Sequence, residues 1–479
     1  MSSKCLSTAL AALLLIMAGC AVMPAYEQPE LPVEKAWSQD HAHKAPANPG
    51  ETGTAKAQTL AADLAWQDYF KSETLQQIIQ LALDNNRDLR VAVLNIEQAR
   101  AAYRIQEANT LPVVSGNAGL SRQGVAQDNS ATGRAYTSDT TMSASLGVTA
   151  YELDFFGRVK NMNQSALETF LATEAAALST RIALIGQTAD AYLSLLADRK
   201  LLGLAKDTCQ AQKETYDVIQ NQFEVGSATQ LDLSQAATAV ESARVSIARY
   251  TRQLAQAENA LTLLAGISVK ALLNSKETID KIRFLDNLPA GLSSDVLLAR
   301  PDIRAAEHRL KAANADIGAA RAALYPVISL TGALGFASQG LTSLFNGDSL
   351  SWNLAPSLTI PIFNRQGLNA SLEAAETGEK IALATYEGAV QTAFREVADQ
   401  LDARKTYRQQ LEAQTALVDA SHQAYTLSKA RYDNGIDNFL TVLDSQRTLF
   451  AAQQGAITIR QAYLSNLVNL YKVLGGGQI

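Results

Sequence analysis

The chain has 479 residues, enough for a large core or several units, with 18% charged residues and a net charge of −6. That balance excludes a nucleic-acid footprint and a disordered polyanion. Cys5, Cys20 and Cys209 are the only cysteines, and their surroundings, described below, leave no pair for an intrachain disulfide.

The N-terminus carries Lys4, an apolar run from Ala9 to Ile16, and then Met17-Ala18-Gly19-Cys20. This reads as a signal peptide over residues 1–19, too short to span a bilayer as a mature helix. Small residues before Cys20 resemble a bacterial lipobox, whose cysteine becomes residue one and is acylated; ordinary cleavage beside an incidental Cys is the alternative. Ala21 follows where an Asp would signal retention at the inner membrane, which fits outer-membrane sorting. Residues 20–74 then form a lipidated N-terminal arm, punctuated by Pro24, Pro29, Pro32, Pro46 and Pro49. His41-Ala-His43 lies in this arm with nothing to complete a metal site and reads as solvated tether.

A first structural repeat spans 75–266. Leu75, Ile78, Ile79, Ala82, Leu83, Leu89, Val93 and Ile96 recur at helical spacing to about Asn109, before Pro112. The period then changes to two. Val114, Gly116, Ala118 and Leu120 alternate with small polar residues, as do Met142, Leu146, Val148 and Ala150, the pattern of membrane β-strands. Residues 158–225 read as one helix roughly 100 Å long at ~1.5 Å per residue, with Cys209 alone in it. Gly226 turns the chain, and the return helix carries a heptad of Leu233, Val240, Ile247, Leu254 and Leu261 up to Gly266.

Residues 267–297 link to a second repeat over 298–479. Leu298-Ala-Arg300-Pro301-Asp302-Ile303 opens a short helix, whereas Arg87-Asp88-Leu89-Arg90 lies within the first. Two more alternating strands follow, Ile328 to Phe336 and Trp352 to Ile360, the latter with Pro356 suggesting an edge or a bulge. A second long helix runs from about Leu368 to Asn434, and its return helix bears two apolar stripes, Val442 to Leu470 and Leu443 to Tyr471. The two hairpin tips match at a constant shift of 209 residues: Phe223, Gly226 and Leu231 correspond to Tyr432, Gly435 and Leu440. Asp444 and Arg447, however, correspond to Gln235 and Thr238, so these charges exist only in the second copy.

The fold expected is mainly α: long coiled-coil hairpins that form an α-barrel, plus four membrane β-strands per chain. Four strands cannot close a barrel, because the smallest membrane barrels have about eight. Unpaired backbone at an open edge in lipid costs several kcal/mol per group, so the chain must oligomerise. Two copies or three would both serve, and periodicity does not choose.

The whole mature chain resembles the TolC-like outer-membrane efflux proteins, in the lipoprotein branch typified by OprM and NodT. The residues that carry the resemblance are Met17-Ala-Gly-Cys20, Phe156-Gly157-Arg158, Arg300-Pro301-Asp302-Ile303, Ala313-Asn-Ala-Asp-Ile317-Gly318, Tyr325-Pro326 and both tips. The resemblance implies a homotrimer with a twelve-stranded barrel in the lipid of the cell outer membrane, lipid-anchored at Cys20, and a helical tube in the periplasm. It implies a passive conduit for drugs or other small toxic molecules, fed by a proton-driven inner-membrane transporter through a periplasmic adaptor protein.

No enzyme constellation, metal spacing or phosphate loop accompanies these features, so neither catalysis nor a cofactor is expected. Leu440, Asp444 and Arg447 fall at i, i+4 and i+7 on one helix face. The resemblance makes them, with Tyr432, a periplasmic gate; a coiled-coil core role for Leu440 and an ordinary surface pair for the two charges are the alternatives. Phe223, Val225, Gly226 and Leu231 of the first tip, with Gly435 and Ile436 of the second, are the candidate adaptor-docking residues. For Phe223 and Tyr432 aromatic packing at a turn competes with these roles, and both glycines could be helix stops alone. The competing functions are a periplasmic adaptor or coiled-coil scaffold and an outer-membrane exit for secreted proteins.

Overall fold

A computed structural model of the chain describes residues 23–37, 64–126, 136–274, 277–285 and 294–478. The signal peptide, Cys20 and the His41-Ala-His43 pair lie outside these residues.

After one helical turn at Trp66–Tyr69 come α1 (Glu73–Asn85), α2 (Arg87–Ala108), strands β1 (Val114–Ala126) and β2 (Tyr136–Glu152), then α3 (Arg158–Glu224) and α4 (Gln230–Ala265). The second half supplies α5 (Pro301–Ala322), β3 (Val327–Ser338), β4 (Leu350–Thr359), α6 (Arg365–Asp433) and α7 (Phe439–Val473). No helix among the described residues is long and apolar enough to cross a membrane.

The continuous helix expected over 75–109 is broken at Asn86. Asn86 is extended, its Oδ1 accepts the Leu89 amide and its Nδ2 donates to Leu264 O, so it caps α2 from outside. The Arg87-Asp88 pair therefore opens a helix as Pro301-Asp302 does, rather than lying inside one.

The chain forms two compact units, and both draw on both halves of the sequence. One comprises Met1–Glu30, Ile96–Thr173 and Ala305–Tyr386, the other Leu31–Asn95, Glu174–Arg304 and Glu387–Ile479. In the first unit the strands make one antiparallel sheet in the order β1-β2-β3-β4. Register aligns side chains of like character: Gly116, Leu146, Leu334 and Trp352 form one row, Asn117, Ser145, Gly335 and Ser351 the next. The apolar rows are open to the surroundings, with Leu146 64%, Leu334 58% and Trp352 74% exposed. Pro356 lies in β4, an edge strand within the chain, the position at which a sheet tolerates a residue without an amide hydrogen. The alternation expected to run through Ala150 is reset there: a bulge between Val148 and Tyr151 puts Ala150 at φ 52 and pairs Tyr151 with Leu330.

In the second unit α4 buries more than the heptad read from the sequence. Ala236, Ala243 and Tyr250 are buried in addition to the expected Val240 and Leu261, completing the alternate positions of the repeat. Of the two stripes on α7, the one containing Leu443, Ile457, Leu464 and Tyr471 is the more deeply covered.

The described arm is packed rather than free. Trp37 is buried, stacks on Phe394 at 5.0 Å and donates from Nε1 to Phe394 O at 3.2 Å. In the first unit the Tyr26 hydroxyl lies 3.4 Å from Glu307 Oε1. Arg300 of the Arg-Pro-Asp-Ile stretch is a buried clamp: it grips Asp302 at 3.0 and 2.7 Å, Glu396 at 2.9 Å and Val473 O at 2.8 Å. His308 holds Glu168 at 2.7 Å.

Candidate functional site

The two tips are built alike. In each, a glycine in the left-handed region ends the incoming helix, Gly226 at φ 76 and Gly435 at φ 70. The following amide reaches back to the helix, Ser227 to Gln222 O at 2.8 Å and Ile436 to Arg431 O at 2.9 Å, which is a Schellman turn in both cases. New helices then start on caps: Thr229 makes a reciprocal capping box with Asp232, and the Asn438 side chain accepts the Thr441 amide.

Both hairpins share one small core in the second unit. Ile219 and Ala236 of the first meet Phe439, Val442 and Leu443 of the second, with Tyr216, Leu233, Tyr425 and Tyr432 packed around them. Phe439 is 3% exposed and is the anchoring aromatic, a residue the sequence reading passed over; its signal was its place one helical turn before Val442 and Leu443. Tyr432 tilts against the Phe439 ring at 5.7 Å, and its hydroxyl donates to Gln222 Oε1 at 3.0 Å. Burial raises the Tyr432 phenol above its ordinary value, with Asp232 adding to the effect.

The remaining candidate residues are on the surface. Val225 is 79%, Leu231 64%, Ile436 63% and Leu440 49% exposed. Phe223 is exposed to 37%, at the same turn position as the half-buried Tyr432. Leu440 is thus half open while its neighbour Phe439 takes the core place. Asp444 and Arg447 are exposed, and among the described residues they are not ion-paired to each other.

The ion pair at the second tip is a different one. Arg431 holds Asp437 across the turn through Nε at 2.6 Å and Nη2 at 2.9 Å. The hydrogen bond from Arg431 keeps the Asp437 carboxyl below the usual carboxylate range. Positions 209 earlier are Gln222 and Ala228, so this clamp too is confined to the second copy. Opposite charges flanking the Gly435 turn were the signal in the sequence. Among the described residues no group of three or more His, Cys, Asp or Glu side chains could hold a metal ion.

A model of the family described as outer membrane efflux protein matches residues 78–267 and 292–476. The chain belongs to the outer membrane efflux protein family. Its relatives include the antibiotic efflux pump outer membrane protein ArpC and the toluene efflux pump outer membrane protein TtgC, both of Pseudomonas putida. Each is 46% identical over 477 residues, covering 100% of this chain and 96% of the relative. The crystal structure of the open state of the Neisseria gonorrhoeae MtrE outer membrane channel matches with a TM-score of 0.84 at 37% identity, covering 95% of this chain and 98% of that one. Membership assigns this outer membrane efflux protein to transport rather than to catalysis.

Proposed function

We propose that the chain is the outer-membrane conduit of a tripartite efflux pump, working as a homotrimer and gated where its two hairpin tips meet. The observation that carries this reading is the sheet: four strands with two open edges, β1 and β4, and apolar rows that face outward. Edges of that kind are satisfied in lipid only by closure with further copies, and three copies make twelve strands. The names of two relatives point to antibiotics and to toluene, so small apolar and amphiphilic molecules are the cargo class. An inner-membrane transporter and a periplasmic adaptor would complete the pump, the adaptor meeting the tips through Phe223, Val225, Gly226, Leu231, Gly435 and Ile436. Acylation of Cys20 would hold the chain to the same membrane, several acyl chains adding about 0.8 kcal/mol per buried CH₂.

Leu440, Asp444 and Arg447 of α7, with Tyr432, form the gate in this reading. The exposure of Leu440, Asp444 and Arg447 in the single chain supports it, since side chains that line an entrance cannot be spent on the protomer's own core. A ring of three Asp444 carboxylates spaced ~6 Å apart repels by roughly 0.7 kcal/mol per pair in a water-like medium, which favours cations. Asp444→Asn is therefore expected to lower the cation preference of the channel in planar bilayers. Unchanged ion selectivity would remove Asp444 from the gate.

A further inference from the structure

The gate-bearing helix α7 is fixed at its far end to the N-terminal arm, to the residue preceding α5 and to α3, and one group there is out of keeping with a plain helix seam. Tyr69 stacks on Tyr471 at 4.2 Å and donates to Leu467 O at 2.8 Å, Arg300 holds Val473 O, and Arg181 donates to Gln478 O at 2.7 Å. Between these bolts and the tip, α3 and α7 meet through polar contacts: Gln461 donates to Ser194 Oγ at 2.9 Å, and Ser465 donates to the carboxylate of Asp190. Lys472 lies over Gly186, one turn before Asp190, with its Cδ 3.3 Å from where a Cβ would stand. Asp190 Oδ1 is buried without a hydrogen-bond partner. A buried acceptor left unpaired is unfavourable, and more so when it belongs to a charged group, so packing alone does not account for this carboxylate in the seam.

We propose that Asp190 is a proton-linked positioning residue that sets how α7 seats on α3. Ionised, it accepts from Ser465 and faces Lys472; protonated, it loses the attraction to Lys472 and can itself donate, so α7 takes a different seat. The charged group facing it is Lys472 from α7; Lys472 also lines a cavity of about 160 Å³ with Arg300, with Asp302 of α5 and with Glu396 of α6. Asp198 lies two turns further along α3. Burial makes Asp190 take up its proton at higher pH than an ordinary aspartate, while Ser465 and Lys472 oppose this. A carboxyl raised in the folded state binds protons more tightly there, so stability falls as pH rises from the ordinary aspartate value through the raised one. The consequence for conduction rests on reading Leu440, Asp444 and Arg447 as the gate that α7 carries.

Two measurements on the full-length protein test the proposal. Melting temperature against pH is expected to show an acid-side gain in the unsubstituted protein that Asp190→Asn lacks. Lys472→Met and Ser465→Ala should each move that transition to higher pH, since both remove a group that favours the ionised form. Superimposable profiles for Asp190→Asn and the unsubstituted protein overturn the proposal, as does a shift to lower pH in Lys472→Met. In planar bilayers, conductance should step at the same pH in the unsubstituted channel and stay flat in Asp190→Asn; an identical step in both overturns the link from Asp190 to α7. An unsubstituted protein that forms no channel at all would count against the conduit reading, and the melting profiles would still decide the role of Asp190.

Discussion

At the scale of single residues, the second tip differs from the first in a few side chains, and those differences concentrate its chemistry. Arg431 and Asp437 close the second turn while Gln222 and Ala228 stand in their places in the first. Gln222 instead receives the Tyr432 hydroxyl, so one hydrogen bond ties hairpin to hairpin. Tyr432→Phe removes that bond and leaves the ring on Phe439, so the expected loss is about 1 kcal/mol. Faster amide exchange in the second tip, with the first long helix unchanged elsewhere, is the measurement that checks it; unaltered exchange would reduce Tyr432 to packing alone. Phe439 was legible as apolar, but its selection over Leu440 for the shared core depends on which side of α7 the first hairpin occupies.

At the scale of elements, the hairpins owe their shape to local rules. Gly226 and Gly435 adopt positive φ, and a Cβ at either would meet nothing within 4 Å. The cost of Gly435→Val is therefore backbone strain rather than collision, about 1–2 kcal/mol for a branched residue in the left-handed region. Such a variant should still assemble in the membrane but bind its adaptor less well in a pull-down from envelopes. Full adaptor recovery and unaltered drug susceptibility would leave Gly435 as a helix stop and nothing more. The boundaries of α3, α4, α6 and α7 were readable because glycines, caps and long uninterrupted periods mark them. The break at Asn86 was not, since Asn86 is held in its extended form by Leu264, 178 residues away.

At the scale of the whole molecule, the sheet assigns opposite tolerances to adjacent residues of one strand. Leu354 belongs to an outward apolar row with Gly332 and Val148, whereas Asn353 belongs to the row of small and polar residues with Ala333, Gly147 and Ser115. Leu354→Arg is expected to cost about 2–4 kcal/mol near a bilayer midplane and to lower the amount of protein in outer-membrane fractions, while Asn353→Arg is accepted. Equal amounts of both variants would contradict a lipid-facing Leu354. The two compact units each combine segments from both sequence halves, because β2 pairs with β3 across the repeat boundary and the hairpins share the core around Phe439.

The sequence by itself determined the repeat, the number of strands, the long helices and both turns, since each of these follows from period, glycine placement and capping within a short window. It also marked Asp444 and Arg447 as unique to the second copy. Only the tertiary structure decided which residues of the tips are spent on the core, which ion pair closes the second turn, where the alternation of β2 is reset, and that Arg300 holds the root of α7. The physical reason is the same in each case: burial and pairing depend on what a distant segment places opposite a side chain, and the tip at Gly435 is shaped locally but anchored by a hairpin 209 residues earlier.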